Sequence, residues 1–144
     1  MFATRFERTR FVNVDFLSAE LIGANFSFAI FKNSDLTSAN LQASTLCGAK
    51  FIDTVYANAN FRESNLVGAD LYNMLLNSER FKLQPDLQGA VYNSERYNFM
   101  SGNLDKFNIP YTMYSSCGTD YFPPTKFPEG FDPEKYGMID ISKL

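Results

Sequence analysis

Residues 24–43 read ANFSFAIFKNSDLTSANLQA, and a large apolar residue returns at every fifth position, at Phe26, Phe31, Leu36 and Leu41. The same register runs back through Phe6, Phe11, Phe16 and Leu21. It runs forward through Leu46, Phe51, Tyr56, Phe61, Leu66, Leu71, Leu76 and Phe81. Two positions before most of these centres stands a small residue, as at Ala24, Ala29, Ser34 and Ala39. Self-similarity at a fixed period governs the whole fold, so residues 4–83 decide the architecture.

Neither regular element buries this set of side chains together. Residues five apart on a helix lie about 140° round its axis. On a straight strand an odd spacing sends successive centres to opposite faces. A chain that bends through a right angle once per five residues does bury them, with each centre and the small residue two before it on the inward side. Four such segments close a circuit of twenty residues. Successive circuits then stack about 4.8 Å apart through backbone hydrogen bonds. The Phe and Leu ladder reads as core, not as a cofactor site.

The triplets Ala24-Asn25-Phe26, Ala39-Asn40-Leu41, Ala59-Asn60-Phe61 and Ala69-Asp70-Leu71 resemble the pentapeptide-repeat family. That resemblance implies an all-β fold, a right-handed quadrilateral β-helix, over about the first 83 residues. Val14, Met74 and Glu79 depart from the small-residue position, and the last two point to a loosening of the coil near residues 74–81. Pro85 cannot donate to a ladder. Leu87 and Tyr92 then resume the five-residue step one residue out of phase, which calls for a bulge or loop around residues 83–86.

The end of the chain has helix-boundary chemistry. Asp132 suits an N-cap, Pro133 the first helical position and Gly137 the stop. One helical turn is expected, with Phe127, Phe131, Tyr136 and Met138 available to plug the coil. Thr125-Lys126-Phe127-Pro128 through Gly130-Phe131-Asp132-Pro133 resembles the C-terminal segment of cyanobacterial members of the family. There it follows an Ala-x-Tyr-Asn element closely, whereas here Ala90-Val91-Tyr92-Asn93 lies over thirty residues upstream. Residues 94–124 therefore read as an insertion, long for a loop and too aromatic for a disordered one. The expectation is one domain over 1–144: coils over 4–83, an out-of-phase last coil over 84–93, the insertion, and a helical C-terminal cap over 125–144.

Composition excludes several classes. With no histidine, no glycine-rich phosphate loop, no GxSxG elbow and no cysteine pair at zinc spacing, nothing points to an enzyme. No catalytic residue, cofactor or metal is expected. No apolar run approaches the roughly 18 residues of a membrane span. Met1-Phe2-Ala3-Thr4 runs straight into the repeats, so no signal peptide is expected in this chain. Residues 1–83 carry eight basic and eight acidic side chains, and the net charge of −3 comes from the remainder. A neutral coil is expected to show neither a basic stripe for nucleic acid nor a dense acidic surface imitating it.

Two features suggest a use. Outward positions flanking Phe11, Phe31, Phe51 and Leu71 include Val12, Ile30, Ile52 and Tyr72, with Phe28 at the corner, and a contiguous apolar strip marks a contact surface. Cys47 follows a centre and so points outward, between Ser27 and Val67 of the neighbouring coils. Cys117 lies in the insertion, within reach of Cys47. A bridge would fold the insertion back over the coil near Phe28 and Ile52; the other reading is two free thiols. Free thiols would place the protein in the cytoplasm, and a bridge would place it in the periplasm or thylakoid lumen. The function these features imply is a non-enzymatic protein-interaction or scaffold module, with the uncapped N-terminal end open to oligomer contact. The resemblance offers an alternative, since some members of the family imitate DNA and protect topoisomerases.

Overall fold

The computed structural model describes residues 4–72, 85–100 and 104–143. Its regular unit is five residues long and rests on two local devices. An Asn or Asp precedes half of the centres between Phe6 and Leu71, and its side-chain oxygen accepts from the amide two residues on: Asp15 to Leu17 N (2.8 Å), Asp35 to Thr37 N (2.8 Å), Asn60 to Arg62 N (2.9 Å). This is the Asx turn. The residue two after the centre is left-handed, with φ between 49° and 68° at Arg8, Asn13, Ser18, Gly23, Phe28, Asn33 and onward to Gly68. One such residue every five positions bends the chain repeatedly in one sense. The short polar residues and glycines at many of these positions tolerate that conformation best.

Twenty residues complete a circuit, and successive circuits pair in parallel. Strands β1 (Arg10–Val12), β2 (Ile30–Lys32) and β3 (Lys50–Ile52) form one sheet in the order β1-β2-β3, with Phe11 opposite Phe31 and Phe31 opposite Phe51. Isolated bridges such as Asn25 to Thr45, Asp35 to Val55 and Asn40 to Asn60 repeat this pairing on the other segments. The molecule is a repeat β-helix solenoid with small parallel sheets. Its centres stack in four rows. The first is Phe6, Phe26, Leu46, Leu66 and Tyr92; the second is Phe11, Phe31, Phe51, Leu71 and Phe127. The third is Phe16, Leu36 and Tyr56, and the fourth Leu21, Leu41, Phe61 and Leu87. From the second circuit onward nearly every described centre is buried, and the rings of Phe11, Phe31 and Phe51 stack at 5.0 Å.

After Tyr72 the register departs from the expected one. The place over Phe61 that the five-residue step gives to Phe81 is taken by Asp86 and Leu87. Asp86 N donates to Ala59 O (2.9 Å) and Phe61 N to Asp86 O (2.8 Å). Leu87 and Tyr92 are thus out of phase in sequence but in line in space. Met74, Leu76, Glu79 and Phe81, and the first half of the loop expected around residues 83–86, lie outside the described residues.

The end of the chain returns to the coil. Lys126 pairs with Asp70, and β4 (Val91–Tyr92) pairs in parallel with β5 (Ile139–Asp140). Between them Pro133–Tyr136 form a 3-10 turn. Asp132 caps it by accepting from Glu134 N (3.1 Å), and Gly137 ends it at φ 72°. The rings of Phe127, Phe131 and Tyr136 stack in series and pack against the core, where Met138 is buried. Burial pushes the Asp140 carboxyl up, but hydrogen bonds from Ser142 and Ser94 outweigh it and hold the group below its usual range.

Candidate functional site

The insertion leaves and rejoins the coil at one closed base. Asn93, fully buried, accepts at Oδ1 from Gly68 N (2.8 Å) and donates from Nδ2 to Glu95 O and Pro123 O, both at 2.9 Å. Thr125 N donates to Asn93 O (2.9 Å), and Thr125 Oγ1 donates to Leu66 O (2.9 Å) while accepting from Asn93 N (3.2 Å). A buried amide with its groups satisfied in this way fixes the direction in which the loop departs.

That direction lays the insertion over the outward residues of the first row. An antiparallel bridge joins Tyr97 to Phe122, and Tyr97, Phe99 and Phe122 are buried together with Cys47, Val67 and Val91. The Cys47 and Cys117 sulfurs lie 2.08 Å apart as a disulfide, with both residues buried and seventy positions between them. Polar contacts complete the seat: Asn65 Nδ2 donates to Met113 O (2.7 Å), and Ser27 Oγ and Ser116 Oγ lie 2.7 Å apart. Burial pushes the Tyr97 phenol up, and its hydroxyl has no hydrogen-bond partner among the described residues.

One corner explains where the loop lands. Phe28 holds φ 60°, a conformation a bulky residue seldom adopts. Its ring stacks on Phe122 (5.7 Å) under the Arg8 guanidinium (4.6 Å). In the next circuits the equivalent positions are Gly48 and Gly68. A Cβ at Gly48 would lie 2.7 Å from the Phe28 ring, and one at Gly68 would lie 2.9 Å from Phe122 Cβ. Both positions need glycine for positive φ and for close approach. Phe28 therefore belongs to the docked loop and not to an open strip. The loop settles on the first row's side, and Ile52 is in neither buried cluster, so the apolar floor differs from the one expected.

The remaining strip residues occupy two columns on the second row's side. The register aligns Arg10, Ile30, Lys50, Asp70 and Lys126 in one column and Val12, Lys32 and Ile52 in the other, with Tyr72 following. Over the first three circuits apolar and basic side chains therefore alternate, and Asp70 and Tyr72 follow. Val12 is 43% exposed and Tyr72 57%, while Ile30 and Ile52 are half-buried. The coil is balanced in total, and these columns hold four cations and one carboxylate, with the exposed Asp53 and Glu129 at the adjoining corner. Among the described residues the ion pairs are Arg5–Glu7 and Arg62–Asp86, so these four cations have no carboxylate within 4.0 Å. The other sides are not wholly polar either, since Leu17 and Ile22 are each 56% exposed.

No group of three His, Cys, Asp or Glu able to hold a metal occurs among the described residues, and none of their helices is long and apolar enough to cross a membrane. The arrangement offers surfaces: one side closed by a covalently held loop, one side open.

The family model for pentapeptide repeats matches residues 1–37 and 39–76 in eight copies. A search of curated proteins finds no match. Among solved structures, a pentapeptide repeat protein from Nostoc Pcc 7120 is 20% identical over 93% of this chain and 82% of its own, with a TM-score of 0.60. The plasmid-mediated fluoroquinolone resistance protein QnrB1 is 21% identical over 63% of this chain and 40% of its own, with a TM-score of 0.48. A pentapeptide repeat protein from the Arabidopsis thaliana thylakoid lumen is 25% identical over 63% of each chain, with a TM-score of 0.35.

Proposed function

Because the chain belongs to the pentapeptide repeat family, we propose that it is a non-enzymatic protein-interaction module. In this reading the coil is right-handed and four-sided, as the left-handed residue in every fifth position and the twenty-residue pairing support. The observation that carries the function is the contrast between two neighbouring sides. The insertion covers the first row's side, while the second row's side keeps Val12 and Tyr72 exposed in a regular array. A tyrosine exposed beside aliphatic residues is the kind of anchor on which binding energy concentrates. A buried disulfide supports an oxidising compartment, such as the periplasm or the thylakoid lumen. Imitation of DNA would need a dense acidic surface, and the open side carries Arg10, Lys32, Lys50 and Lys126.

The test is capture of partners from the source organism by the intact chain. A Val12→Asp, Tyr72→Asp double variant should retain at most a fifth of the bound partner, because anchors of this kind contribute about 1–2 kcal/mol each. Leu17→Asp, on another side, should capture as the parent does. Equal capture by the parent and the double variant would remove the second row's side from the function.

A further inference from the structure

The charge pattern of the open side specifies its partner, and we infer that it binds an extended acidic segment of another protein, laid along the coil axis. This inference rests on the preceding reading of that side as the interaction surface. The first observation is register. Circuits rise about 4.8 Å each, so Arg10 and Lys50, two circuits apart in one column, are separated by about 10 Å, as are Lys50 and Lys126. Lys32 stands between Arg10 and Lys50 in the second column. An extended chain in the polyproline II conformation has three residues per turn and rises about 3.1 Å per residue, so carboxylates three residues apart recur on one face at about 9 Å and meet Arg10, Lys50 and Lys126 in turn.

The second observation is the apolar half of the pattern. Ile30 lies between the first two of those cations in their column, and Val12, Ile52 and Tyr72 line the other. An occupant with aliphatic residues between its carboxylates covers these side chains while its charges face the cations. Asp70 falls between Lys50 and Lys126 with its Oδ1 already accepting from Tyr72 N (3.1 Å), so an uncharged residue of the occupant belongs opposite it.

Size decides between a segment and a folded domain. Five circuits by the width of one five-residue segment give a surface of about 300 Å². A stable interface between folded proteins buries about 800 Å² on each partner. This side alone is too small for a domain and suits a short segment of about seven residues. Exposed pairs are screened by salt, so the affinity should be modest and should fall as ionic strength rises.

The probe is a synthetic heptapeptide, Asp-Leu-Val-Asp-Leu-Val-Asp, titrated into the 15N-labelled full chain at low salt. Amide shifts are expected at Lys32, Lys50, Ile52 and Tyr72, with none at Leu17 or Ile22. A Lys32→Gln, Lys50→Gln, Lys126→Gln variant should fold as the parent by circular dichroism and bind the peptide about tenfold more weakly, a few-fold for each screened charge. The peptide with lysine in place of aspartate should not bind.

Unchanged affinity in the triple variant, or no shift at these amides, overturns the acidic partner. So does perturbation of the same amides by phosphatidylglycerol vesicles or duplex DNA when the peptide leaves them unmoved. If the peptide fails while the Val12→Asp, Tyr72→Asp variant still loses its captured partner, the interaction surface stands and only the partner's chemistry is wrong. If neither has an effect, both readings fall.

Discussion

Phe51→Asp is expected to leave no folded protein. Phe51 is 1% exposed, its ring is stacked on Phe31 at 5.0 Å and it meets Phe61 edge-on at 6.3 Å. Removing a buried phenylalanine costs about 3–5 kcal/mol through lost transfer energy and the cavity left behind. The carboxylate adds several kcal/mol more, because no cation stands among the described inward residues to pair with it. A domain has only about 5–15 kcal/mol in hand. In a stack the damage also spreads, since each circuit rests on its neighbours. The far-ultraviolet circular dichroism of the variant should be that of an unfolded chain. A cooperative thermal transition near the parent's would mean that Phe51 does not point inward.

Cys117→Ser has the second largest expected effect. The bridge closes a loop of seventy positions, and the chain-entropy model assigns about 4 kcal/mol to such a closure. The serine hydroxyl would lie near Asn65 Nδ2 and Met113 O, which approach the Cys117 sulfur at 3.6 and 3.9 Å, and the Cys47 thiol would be left buried without its partner. For a chain of this length the combined loss should lower Tm by roughly 10 °C or more. Because both cysteines are buried, a thiol reductant should reach the bridge slowly in the folded parent and quickly once the insertion lifts. A variant that melts within about 2 °C of the parent would show that the insertion is held without the bridge.

Most of the coil was legible because burial and periodicity carry the same information. A five-residue spacing fits neither helix nor strand, so the inward assignment of Phe26, Phe31 and Leu41 follows from geometry. The Asp132, Pro133 and Gly137 boundary was legible for the same reason, since capping chemistry is local. The turn device is also written in the sequence. Asn13, Gly23, Asn33, Gly48, Asp53, Asn58 and Gly68 all stand two after a centre, which is the signature of a left-handed residue.

The corner that seats the insertion was not legible. It depends on Phe28 adopting an unfavourable conformation over Gly48, and on Asn93 reaching Thr125 across thirty-two positions. The place of Leu87 over Phe61 was hidden in the same way, because a break in register does not say which row the chain rejoins. Total charge along the chain hides how the cations are placed. Sorted by circuit, Arg10, Lys32, Lys50 and Lys126 gather on one side with Asp70 and Asp53, while Asp15, Glu20 and Asp35 flank other rows.

A closed side and an open side follow from one covalent fact, the joining of Cys47 to Cys117. It is read by alkylating the native, unreduced chain under denaturing conditions, digesting it with trypsin and weighing the fragments. The expected result is no alkylated cysteine and a single cross-linked species containing Cys47 and Cys117. Two alkylated cysteines in the native chain would contradict it, and would leave the insertion held on the first row's side by packing and hydrogen bonds alone.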